Sequence, residues 1–391
     1  MLEKMYAILG IVIFIYGAYI LSGNQKEISW KSVGCAFLGQ IVLAFVMIKT
    51  PLWKVIELLA KGITWIINQA NEGINFVFGG LTGEYVFFIN SLLPIVFISA
   101  LIGILFHFGI LQKFIALVGI TVARVLKVDT TLAVNRVGNM FLGQSESLFL
   151  TKQQLPTASE SVIFGTLVGG MASISASVVG LYTSYGASME WILVSIPLGV
   201  FSTFVFTQIL MPTKYNKDTV IEVESTDKGS NVIETMMNYA MAGFKSVIGI
   251  TVALIVFLSI VALINNFIGL FFDGITLQSV LGVIFTPLAV LMGVPANEVA
   301  QISQILATKL VTNEAVAFGL PQFAVLSVNA KAMLTTVLCG FAGIGSIGIL
   351  MGGYSAIAPN KVGVVAKLGM KALLTATVVN MLTGAVVGLM L

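Results

Sequence analysis

Two carboxylates stand inside stretches whose composition otherwise belongs in a lipid bilayer. One is Glu146, in Gly143-Gln144-Ser145-Glu146; the other is Glu314, in Thr312-Asn313-Glu314. An ionised side chain at the centre of a membrane helix costs roughly 3 kcal/mol or more. Each carboxylate has an amide side chain close by, Gln144 and Asn313. An amide both donates and accepts, while an ionised carboxylate only accepts. Such a set can hold a polar solute or an ion inside the membrane. Catalysis has little to work with. The chain has one histidine, His107, at the end of an apolar run, and no Ser/His pair or metal cluster, so neither an enzyme nor an organic cofactor is indicated. Cys35 and Cys339 both lie in apolar runs, which gives no disulfide framework.

The elements that must position these groups follow from composition. Of 391 residues 58% are hydrophobic and 9% charged, and the mean hydropathy is +1.02. Soluble domains carry about 25% charged residues, so the chain reads as an all-α polytopic membrane protein with the bilayer as its partner. The net charge of +3 gives no case for nucleic acid. A spanning helix needs about 20 mainly apolar residues. Eight stretches qualify: Met5–Leu21, Val33–Ile48, Val86–Phe108, Ser161–Tyr182, Trp191–Met211, Val247–Phe271, Ala332–Met351 and Lys367–Leu391. No small-residue cleavage site follows the first, which therefore reads as a retained helix rather than a signal peptide. Pro51–Gln69 and Ile110–Leu126 mix apolar residues with Lys and Arg and read as amphipathic helices at the interface.

The segments around 130–155 and 295–320 are too polar for lipid and too apolar for exposed loops. Both read as re-entrant hairpins, because non-helical backbone at membrane depth survives only when buried in protein or lining a cavity. The hydrophilic run 212–234, with Lys217, Asp218, Glu222, Glu224 and Asp227, reads as a linker between two halves. The organisation is then 1–126, scaffold and interfacial helices; 127–211, a first hairpin and broken helix; 212–234, the linker; and 235–391, a scaffold helix, a second hairpin and a second broken helix.

The halves repeat one another. After Glu146 comes the small-residue run Gly169–Ser177; after Glu314 comes Gly340–Gly348. The carboxylates lie 168 residues apart and the starts of these runs 171 apart, which points to duplication. Interrupted hydrophobic segments at matching places in two halves mark a transporter's binding site, since a broken helix frees backbone groups to hold solute or cation.

In order and spacing these residues resemble the concentrative nucleoside transporter family, of the bacterial nucleoside permease type. The likeness runs from Glu72–Leu81 and Leu93–Leu101 through Gly143–Glu146 and Gly293–Glu298 to Ala307–Glu314 and Cys339–Ala342. It implies a homotrimer in the inner (plasma) membrane, with eight transmembrane helices and two re-entrant hairpins per protomer, importing nucleosides by cation symport. It implies that Gln144, Ser145, Glu146 and Val178 read the nucleobase, and that Asn313, Glu314, Phe341 and Ser346 hold the ribose. It implies a Na⁺ site at Asn139, Leu142, Ser173 and Ile174; H⁺ is the alternative coupling ion. Many relatives have an asparagine two residues after the phenylalanine where this chain has Gly343, which leaves the sugar contact there to backbone or water. Other readings are a symporter for nucleobases or another small polar solute, and a channel using the same residues as a filter. Glu298 reads as a structural cap, and Arg136 and Lys309 as partners of the hairpin carboxylates or as side chains reaching toward water.

Overall fold

In the computed structural model, which describes residues 2–81, 85–216, 221, 223 and 228–391, every regular element among the described residues is helical. Of the linker, residues 217–220, 222 and 224–227, including Lys217, Asp218, Glu222, Glu224 and Asp227, lie outside the described residues. The chain opens with α1 (Leu2–Ile20), α2 (Trp30–Lys49) and α3 (Leu52–Phe78). A π-turn at Phe88–Leu92 leads into α4 (Pro94–His107), and α5 (Ile110–Leu126) follows across Gly109. Gly109 has φ of 73°, the left-handed conformation that lets two helices meet at one residue. His107 ends α4, as its sequence position suggests, and its Nδ1 lies 2.9 Å from Thr235 Oγ1.

The first hairpin is α6 (Thr130–Gly138), a tip, and α7 (Glu146–Phe149). Asp129 starts it by accepting the Leu132 N–H. The first broken helix is α8 (Glu160–Met171), a break that ends in a 3₁₀ turn (Ala176–Val178), and α9 (Val179–Ser184), followed by α10 (Met189–Leu210). After the linker come α11 (Val232–Gly269) and α12 (Leu277–Leu291). The second hairpin is α13 (Val299–Val311), α14 (Glu314–Phe318) and α15 (Pro321–Ala324). The second broken helix is α16 (Val328–Leu338) and α17 (Gly345–Ile357), and α18 (Val362–Met390) closes the chain.

Seven helical stretches among the described residues are long and apolar enough to cross a membrane. The eighth expected span, Ala332–Met351, is divided between α16 and α17, each too short alone. The breaks sit later than the glycines suggest in the first half. α8 continues through Gly169 and Gly170 and ends at Met171, and α16 ends at Leu338. The two helix ends are thus 167 residues apart, close to the 168 between the carboxylates. Three elements outrun the sequence reading. α3 extends to Phe78, α11 begins at Val232 inside the expected linker, and α12 was not anticipated. Thr276 and Ser279 form a capping box that starts α12.

α8, α10, α16 and α18 form the buried centre, while α1, α2 and α11 turn apolar residues such as Ile13, Val42 and Val256 outward. Polar residues tie the centre together. Gln40 donates to Ser202 Oγ at 2.5 Å, Ser202 and Thr383 hydroxyls lie 2.8 Å apart, and Ser22 donates to the Ile209 carbonyl at 2.7 Å. Such interhelical bonds contribute about 0.6 kcal/mol each on average in a bilayer, and they fix which helix faces meet.

Candidate functional site

Two hairpin tips and two helix breaks converge on one cleft of about 320 Å³, within the range of small-molecule sites. All eight residues assigned to substrate from the sequence line it: Gln144, Ser145, Glu146, Val178, Asn313, Glu314, Phe341 and Ser346. Gly343 lines it too, and so does one face of α11 through Ser246, Gly249, Ile250, Ala253 and Phe257. The α11 contribution was not legible in the sequence, because four of its five cleft residues, Gly249, Ile250, Ala253 and Phe257, are the small or apolar residues that any span carries.

The two halves support each other across the cleft. Gln144, at the first tip, donates from Nε2 to Ser346 Oγ at 3.4 Å, and Ser346 in turn donates to the Phe341 carbonyl. Gln144 Oε1 is buried with no hydrogen-bond partner among the described residues, an acceptor held out of water beside the cleft. Glu146 starts α7, and its Oε2 accepts the Gly143 N–H at 3.0 Å. Asn313 caps α14 by accepting the Val316 N–H at 3.0 Å, which commits its amide oxygen. Glu314 Oε1 accepts the Tyr182 hydroxyl at 3.0 Å. Tyr182 comes from α9 of the other half, is fully buried, and stacks on Phe318 with ring centroids 4.9 Å apart. Sequence reasoning missed it. The available signal was a phenol at the end of an apolar run, which needs a partner when buried.

The four residues of the expected ion site do not line the cleft; Asn139 and Leu142 lie at the first tip and Ser173 and Ile174 in the first break. Asn139 Oδ1 accepts the Ser147 hydroxyl at 2.9 Å, and Ser147 Oγ also lies 3.3 Å from the Gln144 carbonyl. Ser173 donates to the Gly169 carbonyl at 2.9 Å, which leaves its oxygen lone pairs for another partner. The carbonyls of Leu142 and Ile174, both in non-helical backbone, accept no backbone hydrogen bond among the described residues. The set offers four oxygens of the hard type that suits an alkali cation.

The basic residues depart from expectation. Arg136 and Lys309 are both buried and neither reaches toward water. Arg136 Nε donates to Thr203 Oγ1 at 3.0 Å, and Lys309 Nζ donates to the Val337 carbonyl at 2.6 Å. Arg136 thus bonds to a hydroxyl rather than to Glu146, while Lys309 bonds to a main-chain carbonyl and its charge acts on Glu314, the carboxylate of its own hairpin. Glu298 stands at the N-cap position of α13, but its side chain makes no cap bond there and instead ties α13 to α16. Its two oxygens take the N–H and hydroxyl of Ser327, the cap of α16, at 2.6 and 2.7 Å. Cys35 and Cys339 are both free thiols.

Known proteins share this fold. Residues 9–81 match the family model described as Na⁺ dependent nucleoside transporter N-terminus, and residues 191–388 match that of the C-terminus. An uncharacterized transporter of Haemophilus influenzae is 33% identical, over 99% of this chain and 98% of its own length. The nucleoside permease NupC of Helicobacter pylori is 28% identical, over 99% and 98%. The structure of CNTnw in an inward-facing substrate-bound state superposes with a TM-score of 0.93 at 31% identity, covering 100% of both chains.

Proposed function

The chain belongs to the concentrative nucleoside transporter family, a multi-pass plasma-membrane transporter and not an enzyme, and on that premise we propose that it imports nucleosides by Na⁺ symport. The observation that carries this reading is the convergence of all eight substrate residues on one cleft built from both hairpins and both breaks. Gln144 reads a base edge by turning its amide into the cleft, which releases the long bond to Ser346 and brings out the oxygen that is otherwise buried and unpartnered. Ser145, Glu146 and Val178 complete the base end. Glu314 accepts ribose hydroxyl protons through charge-assisted hydrogen bonds, with Tyr182 fixing one of its oxygens. Phe341, Asn313 and Ser346 shape the sugar end. Gly343 leaves open the space in front of the Thr312 and Lys309 carbonyls, which lie 3.4 and 3.6 Å from where its Cβ would be.

Na⁺ is transported with the nucleoside. Asn139 Oδ1, Ser173 Oγ and the carbonyls of Leu142 and Ile174 are its ligands in this reading. These atoms join the first tip to the first break, so an ion held there stiffens the base-reading side. The hairpins are re-entrant, the solute site lies near the bilayer midplane, and three protomers assemble as a homotrimer.

Radiolabelled uptake in proteoliposomes, with a nucleoside panel as competitors, tests the reading. An inward Na⁺ gradient is expected to drive accumulation above equilibrium. Equilibration without accumulation would remove cation coupling and leave a passive pathway, as a channel is. Accumulation driven only by a pH gradient would replace Na⁺ with H⁺ and remove the role of Asn139 and Ser173. Competition by free bases, with none by nucleosides, would move the substrate class to nucleobases.

A further inference from the structure

One buried amide joins the ion side of the site to the sugar side. Asn380 lies on α18 and is 2% exposed. In the amide orientation that satisfies both neighbours, its nitrogen donates to the Ala172 carbonyl at 3.1 Å and its oxygen accepts Lys309 Nζ at 3.2 Å. Ala172 immediately precedes Ser173 and Ile174 of the proposed ion set. Lys309 is five residues before Glu314 and also donates to the Val337 carbonyl, in the last turn of α16. The amide therefore sits between the C-terminal end of α8 and the second hairpin. The end of a helix presents unpaired carbonyls and partial negative charge, and a donor placed there is bound to that end's position. A second link runs beside it. The Phe341 N–H, in the second break, donates to the Ser173 carbonyl at 3.1 Å. The packing enforces the amide's position: a Cβ on Gly340 would stand 2.3 Å from it.

We propose that Asn380 is the positioning residue that couples cation binding to nucleoside binding, by making the carbonyl end of the first broken helix and the Lys309–Glu314 hairpin answer to one amide. This rests on the cation-symport reading above. The polarity of the amide is what matters. It needs a donor toward Ala172 and an acceptor toward Lys309, and an ion that draws on the Ser173–Ile174 segment alters the carbonyl that holds the donor. Coupling between two sites is a ratio of affinities, and the physical warrant for it is an element whose geometry both sites bias.

The test is equilibrium binding of uridine and adenosine to the purified full-length protein, in Na⁺ and in choline. For the wild type the ratio of the two dissociation constants is expected to fall within about 5–150-fold, the usual span of coupling between sites. Asn380→Asp keeps the acceptor for Lys309 and loses the donor to Ala172. It is expected to cut the ratio to less than a third of the wild-type value, with affinity in choline within threefold of wild type. Gly340→Ala displaces the amide without changing it and is expected to act in the same direction. A general loss of packing would lower affinity in both salts and leave the ratio intact, so the ratio separates positioning from damage. An undiminished ratio in either variant that binds nucleoside overturns the proposal. A wild type whose nucleoside affinity ignores both Na⁺ and pH overturns the symport reading itself, which is a different result. Should Asn380→Asp fail to fold, Gly340→Ala decides.

Discussion

The two hairpin-and-broken-helix halves are built alike and finished differently. In each, a basic residue stands two positions before the end of the first hairpin helix: Arg136 before Gly138, and Lys309 before Val311. In each, that residue is buried against the next transmembrane elements, Arg136 against Gly169 and Thr203, Lys309 against Val337 and Asn380. The tips then diverge. The first carries seven residues between its helices, 139–145, and the second only two, 312 and 313. The longer tip has room for Asn139 and Leu142 of the proposed ion set as well as Gln144 and Ser145; the shorter presents Asn313 and hands Glu314 to the cleft. The two similar frames offer two similar openings, and on the proposed reading only the longer tip carries residues for an ion beside the solute. The halves also lean on each other, Gln144 on Ser346 and Glu314 on Tyr182, so neither side of the cleft is complete alone.

The sharpest way to break this comparison is at the carboxylates. Glu314→Gln weakens charge-assisted bonds to ribose, each worth roughly 1.5–3 kcal/mol, and is expected to lower ribonucleoside kcat/KM by about 100-fold in uptake assays. Glu146→Gln keeps an acceptor for the Gly143 N–H, and its effect is expected to stay under about tenfold. Equal losses would mean that the two halves do the same job.

The buried cations come next. Arg136 leaves both Nη groups unpartnered among the described residues, while Lys309 serves the Val337 carbonyl. Removing a buried charge that lacks good partners is neutral or stabilising, and removing the donor of a buried acceptor costs about 1–3 kcal/mol. Arg136→Met is therefore expected to hold or raise the detergent melting temperature, and Lys309→Met to lower it. Matching losses would show Arg136 to be as well satisfied as Lys309.

The smallest effect belongs to Gly343. A Cβ there meets Thr312 O at 3.4 Å, an ordinary contact, so a side chain is accommodated. Gly343→Asn supplies an amide at the sugar end and is expected to tighten ribonucleoside KM by a few fold, the worth of about one neutral hydrogen bond. A weakened KM would show that the open space itself is used.

Much of this was legible in the sequence, because a polar residue in an apolar run is conspicuous. Gln144, Glu146 and Glu314 announced themselves in that way, and the repeat placed them in one site. Three kinds of feature were not legible. Gly169 reads as a helix break but lies within α8, where the glycine leaves space for the Arg136 side chain, 2.9 Å from where a Cβ would stand. The 15-residue α12 has no charged residue and contains Pro287, which hides its ends. Tyr182 and Asn380 sit in runs that otherwise satisfy every rule for a span, and only the fold shows whom they meet.

The long helix α11 walls one side of the cleft. Its 38 residues amount to about 57 Å of rod, against about 30 Å of hydrocarbon, so its ends emerge or it leans. The stretch that walls the cleft, Ser246 to Phe257, falls near the rod's middle, about 18–21 Å from either tip at 1.5 Å per residue. Leaning shortens both arms in proportion. The wall of the cleft is therefore the part of that rod furthest from both of its ends.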